Sequence, residues 1–384
     1  MSAAAARRRK QLAARKAAEG EDSVTLQLKK LLNMEEAMDE ATAYEALQLA
    51  QSQVRKKYHA GDFTGCTNLA YEGSLSLLKK GRVSVASQLM DQLVEVLRET
   101  HTADSDDWST KLTEIQQAFV NAMADKPAGT ETTRLHRLQR DWLLKCCSWS
   151  SDLGTVKYGN NQLQKILAEQ CWNLSQLETD KEDVMDLQCD AVQHMALAEQ
   201  PDTIVDWLKT LPKPTEEETK AGHTCAPSVR DSLLTRTLLL LCAMENLRDA
   251  NTLLRGYMDK VEERDIKELA ASYTKKDDGL APSHVIFGCM LLRICEKDTR
   301  TGPLFSWLMR SFKREFDRMH GAAAVLGYTT KIGKTYFNIQ PPPSMMNMME
   351  NMMSMMGGGG GGAPAINPAM MQAAMAQMQQ GGMM

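Results

Sequence analysis

Apolar residues recur along most of this chain with the period of an α-helix. From about residue 24 to residue 320 they fall three and four positions apart, which places them on one face of each successive helix. The clearest stripe contains Phe305, Leu308, Phe312, Phe316 and Met319. No convincing run alternates polar and apolar residues as a half-buried strand would. The pattern predicts an all-α protein.

Short polar breaks separate the stripes, for example at residues 60–62, 80–82 and 102–105. Asp62 and Ser105 are predicted helix N-caps, because their side chains can accept hydrogen bonds from the first turn. Breaks this short force consecutive helices into antiparallel hairpins. Hairpins that recur roughly every 35–45 residues predict an α-solenoid of divergent tetratricopeptide-like repeats. An irregular all-α globule is the alternative.

Polar and low-complexity stretches divide the chain into five predicted parts. Residues 211–227 contain prolines and an acidic cluster, which predict a linker or loop. Gly256 and Gly288 lie inside predicted helices, where glycine lowers stability, so they are predicted to mark close helix contacts. The parts are a basic arm (1–20), an N-terminal helical half (21–210), the linker (211–227), a C-terminal helical half (228–340) and a Pro- then Met/Gly-rich tail (341–384).

Charge is spread unevenly along the 384 residues. The net charge is −4, but residues 1–20 carry six basic side chains and one acidic, which leaves +5 on the arm and −9 on the rest. We expect a disordered arm; an organelle transit peptide and a nuclear or RNA-contacting arm are the alternatives. No basic stripe with interleaved aromatic residues follows, so no nucleic-acid partner is expected.

No catalytic or cofactor-binding constellation is recognisable. Residues 327–335 come nearest to a phosphate-binding loop, but five residues instead of four separate the first glycine from Gly333-Lys334-Thr335. The nine cysteines are scattered without the paired spacing of a zinc site, which indicates reduced, buried thiols and a cytosolic or nuclear location. The longest apolar run, residues 238–244, is too short to cross a bilayer. We therefore expect no enzyme activity, no cofactor, no metal and no stable membrane insertion.

The end of the chain is rich in methionine. Fourteen of the 26 methionines lie in the last 40 residues, and pairs spaced three or four positions apart would form a wide thioether stripe on a helix. Unbranched, polarizable methionine side chains suit varied apolar partners. We favour the interpretation that the first part of this segment docks on the last helices of the chain or on a partner, and we expect residues 357–384 to be disordered low-complexity chain. The candidate contacts for hydrophobic clients are Met348, Met349, Met352 and Met353.

Three phrases, in order along the chain, resemble the Golgi-to-ER traffic protein 4 family. Together they extend over most of the sequence, from the first predicted helices to the start of the tail. The first is Tyr44-Glu45-Ala46 followed by Tyr58 and Tyr71-Glu72-Gly73-Ser74-Leu75; the second is Trp149-Ser150-Ser151 followed by Gly159 and Leu163; the third is Tyr336-Phe337-Asn338-Ile339 followed by prolines and methionine pairs. Core packing is the alternative role for Tyr44, Tyr58 and Trp149.

The resemblance implies a non-enzymatic cytosolic adaptor in the pathway that delivers tail-anchored proteins to the ER membrane. Its N-terminal half would dock the dimeric targeting ATPase, and its C-terminal part would hold a ubiquitin-like scaffold protein and, in animals, a larger quality-control scaffold. A chaperone that holds clients through its Met-rich tail and a generic helical-repeat scaffold are the alternatives. By resemblance, the ATPase face includes Lys29, Lys30 and Tyr44, and the scaffold site includes Phe305, Phe312, Tyr336 and Phe337.

Overall fold

The described part of the chain is built from α-helices without a β-strand. The structure, a computed structural model, describes residues 23–33, 38–124, 126–127, 129–213, 227–274, 283–297 and 299–340. The predicted arm, most of the predicted linker and nearly all of the predicted tail therefore lie outside the described residues. Residues up to Asn338 form one compact unit; residues 339–384 form a second, of which only 339 and 340 are described.

Sixteen α-helices and one 3₁₀-helix occupy the described ranges. Before the predicted linker they are α1 (Ser23–Leu32), α2 (Glu40–His59), α3 (Phe63–Lys79), α4 (Val83–Glu99), α5 (Asp106–Met123), α6 (Thr130–Leu153), α7 (Asn161–Ser175), α8 (Lys181–Leu197) and α9 (Pro201–Thr210). After it they are α10 (Val229–Ala243), α11 (Leu247–Lys260), α12 (Ile266–Thr274), α13 (His284–Cys295), the 3₁₀-helix (Thr299–Thr301), α14 (Gly302–Ser311), α15 (Lys313–Arg318) and α16 (Ala322–Phe337).

Polar caps and glycine turns join the early helices. Asp62 Oδ1 accepts a hydrogen bond of 2.9 Å from the Gly65 N–H, and Ser105 Oγ accepts one of 3.4 Å from the N–H three residues further on. Both predicted N-caps are confirmed. Gly61 and Gly81 adopt φ values of +79° and +71° in the turns after α2 and α3. Glycine reaches this left-handed conformation without steric strain, so the chain can reverse sharply there.

Helices that follow one another in sequence pack against each other. α3 contacts α2, α4 and α5; α6 contacts α4 and α7; and α7 contacts α8. The predicted apolar faces form the interior of these layers, since Leu89, Phe119 and Trp142 are fully buried. Each hairpin thus covers the apolar face of its neighbour, as in an α-solenoid. The predicted fold class is confirmed.

Helix α10 lies at the centre of the later helices. It contacts α8, α9, α11, α13 and α16, and every side chain from residue 232 to residue 243 is buried. The run over residues 238–244 is apolar on all sides, and such a segment is stable only when it is surrounded. Because α8 and α9 precede the predicted linker, the two predicted halves share this packing. The domain boundaries stay a prediction.

Gly256 and Gly288 mark close helix contacts, as predicted. A Cβ atom on Gly288 in α13 would lie 2.7 Å from Leu238 Cδ1 in α10. One on Gly256 in α11 would lie 3.0 Å from Val205 Cγ2 in α9. The absence of a side chain therefore lets each pair of helices approach more closely.

The stripe from Phe305 to Met319 is buried, but it does not follow one helix. Helix α14 ends at Ser311 and α15 begins at Lys313, so the stripe turns at Phe312. The ring of Phe312 packs against Phe287 of α13, with centroids 4.7 Å apart. Aromatic packing across this break keeps both short helices on the core.

Candidate partner-binding sites

The segment that resembles a phosphate loop lies inside α16. Residues 327–335 are helical, so their N–H groups bond within the helix rather than around a phosphate. Within the described ranges, no three His, Cys, Asp or Glu side chains are grouped as metal ligands would be. None of the helices that the structure describes combines the length and apolar character needed to span a membrane.

Helix α1 is fixed on its neighbours by burial and two hydrogen bonds. Leu28 is almost completely buried against the core. Gln27 Nε2 donates to Glu45 Oε1 of α2 at 2.7 Å, and Ser76 Oγ of α3 donates to the carbonyl oxygen of Leu32 at 2.7 Å. The first helix therefore has a defined position, and its outward side chains have a defined place on the surface.

Lys29, Lys30 and Tyr44 lie on the surface of α1 and α2. Both lysines are exposed in the last turn of α1, and the negative end of the helix dipole favours cations there. The Tyr44 side chain is 41% exposed. Core packing therefore does not account for this tyrosine.

Arg134 of α6 interacts electrostatically with Tyr44. Hydrogen bonds to Glu131 are the main cause of the raised pKa of Arg134, and the Tyr44 phenol contributes to it. Arg134 Nη2 donates to Glu131 Oε1 at 2.7 Å and to Ser84 Oγ at 2.8 Å. Nothing in the sequence pattern connects residues this far apart. We define Lys29, Lys30, Tyr44 and Arg134 as the N-terminal surface.

Three of the four aromatic residues predicted for the scaffold site are buried. Phe305, Phe312 and Phe337 expose 4%, 0% and 7% of their side chains. Phe337 stacks on Phe305, with ring centroids 4.8 Å apart. These rings hold α13, α14 and α16 together, so a partner would meet the neighbouring surface residues rather than the rings themselves.

Tyr336 is partly exposed at the end of α16. Its hydroxyl is buried and has no hydrogen-bond partner among the described residues. Burial raises the pKa of Tyr336, and the nearby Cys242, Cys295 and Glu245 raise it further. The phenol therefore stays neutral.

The structure also reveals two exposed apolar residues that the sequence stripe did not include. Leu304 and Trp307 are 55% and 46% exposed and lie one turn apart on α14. Leu304 adjoins Phe305 in the sequence and Tyr336 adjoins Phe337, and the stacked rings of Phe305 and Phe337 join α14 to α16. We define Leu304, Trp307 and Tyr336 as the C-terminal surface. The candidate client contacts lie outside the described residues: Met348, Met349, Met352 and Met353.

The middle phrase of the resemblance builds a rigid turn between α6 and α7. Ser150 Oγ donates to Asp104 Oδ2 at 2.5 Å and accepts a hydrogen bond of 2.7 Å from the Asn160 N–H. Gly159 has a φ of +81°, and a Cβ there would lie 3.0 Å from the Cys147 carbonyl oxygen. A side chain at this position would be strained, so the phrase has a structural role.

The aromatic residues of the other phrases combine packing with hydrogen bonds. Trp149 is fully buried, and its Nε1 donates to the Thr102 carbonyl oxygen at 3.0 Å. Tyr58 is half-buried, and its ring lies 5.7 Å from that of Phe63. Core packing therefore accounts for Trp149 and in part for Tyr58.

Comparison with known proteins agrees with these features. The family model described as Golgi to ER traffic protein 4 matches residues 60–356, which is more than half of the chain. Protein GET4 of Arabidopsis thaliana is 21% identical over 301 residues, covering 74% of this chain and 83% of that protein. The crystal structure of C. therm. Get4 superposes with a TM-score of 0.50 at 18% identity, covering 90% of this chain and 99% of that one, and supports the fold. The chain therefore belongs to the Golgi to ER traffic protein 4 family, a family of adaptors in tail-anchored protein targeting.

Proposed function

We propose that this protein is a non-enzymatic cytosolic adaptor that bridges the targeting ATPase and a ubiquitin-like scaffold protein. The observation that carries the proposal is the presence of two surfaces with exposed aromatic side chains, one on the first two helices and one on the last. An adaptor needs two such sites on different elements, so that both partners can bind at the same time. The larger quality-control scaffold is a further predicted partner of the C-terminal part.

The N-terminal surface suits an acidic docking face on the ATPase. Lys29, Lys30 and Arg134 supply cations, and Tyr44 supplies an amphipathic ring. Tyrosine and arginine are the residue types that most often dominate binding energy at interfaces. Opposite charges on the two proteins would also speed their encounter, and this effect would weaken as salt rises.

The C-terminal surface suits an apolar patch on the scaffold protein. Leu304 and Trp307 expose adjacent apolar side chains on a helix that buried Phe305 holds in place. A tryptophan that becomes fully desolvated on binding is a typical interface anchor. Tyr336 would add a partly exposed ring at the edge of this patch.

Two variants test the proposal in binding assays with the purified ATPase and the purified ubiquitin-like protein. K29E/K30E/Y44A should weaken ATPase binding at least tenfold and leave the other interaction intact. L304S/W307A should do the reverse. L177S changes another exposed leucine, between α7 and α8 (42% exposed, against 55% for Leu304), and should affect neither. Loss of both interactions in either variant, or of neither, would contradict the assignment of two separate sites.

A further inference from the structure

A third surface carries three exposed lysines that form no ion pair with any residue that the structure describes. Lys157 lies in the turn between α6 and α7, and Lys331 and Lys334 lie one turn apart on α16. We call these three residues the basic patch. The turn and the last helix are far apart in sequence, so only the fold brings them together.

Two of these lysines converge on one aromatic ring. Lys157 Nζ lies 5.1 Å and Lys331 Nζ lies 6.0 Å from the ring centroid of Tyr158. The Tyr158 hydroxyl is buried and has no hydrogen-bond partner among the described residues. The electron-rich face of a phenol attracts ammonium groups, and this attraction holds two like charges around one ring.

Hydrogen bonds of the Gln164 side chain hold the turn that carries Lys157. Gln164 Nε2 donates to the Tyr158 carbonyl oxygen at 2.6 Å, and Gln164 Oε1 is 2.7 Å from Nδ1 of His194 on α8. Ser150 and Gly159 fix the rest of the turn, as described above. The position of the ring, and hence of the lysines, is therefore set before any ligand binds, which lowers the entropy lost on binding.

The charge of the basic patch is unusual for this chain. The chain after residue 20 carries a net charge of −9, yet two ammonium groups of the patch lie over one ring and pair with no carboxylate that the structure describes. An anion that contacts both would neutralise their charge. Val156, in the same turn, is 50% exposed and offers an apolar contact beside the charges.

We propose that the basic patch binds a short acidic segment of a partner protein, with carboxylates on Lys157, Lys331 and Lys334 and an aliphatic contact on Val156. This interaction goes beyond the bridging function proposed above, because it uses neither the N-terminal nor the C-terminal surface. A protein segment fits better than a nucleic acid for two reasons. Three lysines neutralise few phosphates, and Tyr158 already has two ammonium groups over its ring instead of a free face for base stacking.

Fluorescence anisotropy with the full-length chain tests the proposal, using a fluorescein-labelled peptide of ten glutamates as the probe. The wild-type protein should bind this peptide at low salt, and binding should weaken as salt rises. K157E/K331E should weaken binding at least tenfold, whereas K157R/K331R should keep it within threefold. K181E/K267E makes the same change in net charge at exposed lysines of α8 and α12 and should retain binding.

Three results would overturn the proposal. These are no binding by the wild-type protein, an equal loss in K181E/K267E, or tighter binding of a fluorescein-labelled ten-nucleotide oligouridine than of the peptide. The last result would identify a nucleic-acid surface. K157E/K331E should also retain the ubiquitin-like protein, which separates the basic patch from the C-terminal surface.

Discussion

Phe337, the last residue of α16, stacks on Phe305 of α14, with ring centroids 4.8 Å apart and planes inclined by 29°. The contact lies at the end of the compact unit, because the next residue, Asn338, caps α16 in a left-handed conformation with a φ of 52°. It also joins α14, which carries Leu304 and Trp307, to α16, which carries Tyr336. The geometry of the C-terminal surface therefore depends on two buried rings that no partner needs to touch.

Removing the Phe337 ring should destabilise the protein and disorganise the C-terminal surface. Phe337→Ala is expected to lower the free energy of unfolding by about 3–5 kcal/mol, the usual range for a buried phenylalanine. Phe337→Leu should cost less than about 1.5 kcal/mol because it conserves volume better. Urea unfolding measures both, and Leu326→Ala, at a 68% exposed position of the same helix, is the control. A small effect of Phe337→Ala would mean that the stacking contributes little.

Two glycine-to-alanine substitutions should change the stability of the protein in opposite directions. Gly288→Ala places a Cβ 2.7 Å from Cδ1 of Leu238, a fully buried residue of α10. We expect this substitution to lower the free energy of unfolding by about 1–2 kcal/mol. Gly327→Ala adds a Cβ with no neighbouring atom within 4 Å in the interior of α16. It should gain about 0.5–1 kcal/mol from higher helix propensity. Thermal unfolding that shifts in the same direction for both variants would refute this reasoning.

The hydroxyl of Ser150 should matter more than that of its exposed neighbour Ser148. Ser150→Ala removes the partner of the Asp104 carboxylate and of the Asn160 N–H, so two polar groups lose a hydrogen bond. Ser150→Ala is expected to lower the free energy of unfolding by about 1–3 kcal/mol. Ser148→Ala removes a solvent-exposed hydroxyl that contacts Arg98 at 2.8 Å and should change stability by less than about 0.5 kcal/mol. Equal costs in denaturant titrations would argue against the rigid turn.

Acid should destabilise the protein through His194. Burial lowers the pKa of this histidine from 6.5 to about 4, so the unfolded chain binds a proton between these pH values and the folded chain does not. The free energy of unfolding should therefore fall as the pH drops through this window. Between pH 7 and pH 5 the loss from this group is about 2 kcal/mol.

His194→Gln keeps an amide N–H for Gln164 Oε1 and removes the titration. Its stability should therefore depend less on pH than that of the wild-type protein. His59→Gln, at an exposed position of α2, is the control and should keep the wild-type dependence. Unfolding measured at pH 7 and pH 5 decides the matter: an unchanged pH dependence in His194→Gln would exclude this histidine as the cause.

Periodicity predicted the helices because most of them bury a single face. The stripes through Leu89 and Phe119 are interior, and Asp62 and Ser105 cap helices as expected. Periodicity alone did not decide between core packing and a surface role for Tyr44, which is 41% exposed. Periodicity identifies the face of a helix that packs on the core, but it does not show how much of that face the neighbouring helices cover.

The candidate surfaces were only partly predictable for a related reason. Residues 304–309 are apolar on nearly all sides, so the sequence does not distinguish buried Phe305 from exposed Trp307. Proximity of Arg134 to Tyr44, and of Lys331 to Tyr158, arises from helix packing over long separations. No local pattern encodes such pairs, whereas the local phrase around Ser150 and Gly159 could be recognised directly.

The burial of α10 on all sides limits how this protein can be divided. A fragment that ends before α10 would leave the apolar faces of α8 and α9 in water, and a fragment that begins at α10 would leave part of α10 itself uncovered. Neither fragment is therefore expected to fold stably by itself, although each carries one proposed binding surface. Because both surfaces belong to the same compact unit, they should fold and unfold together. A destabilising substitution in α10 is therefore expected to weaken binding at the N-terminal and the C-terminal surface, although these share no residue.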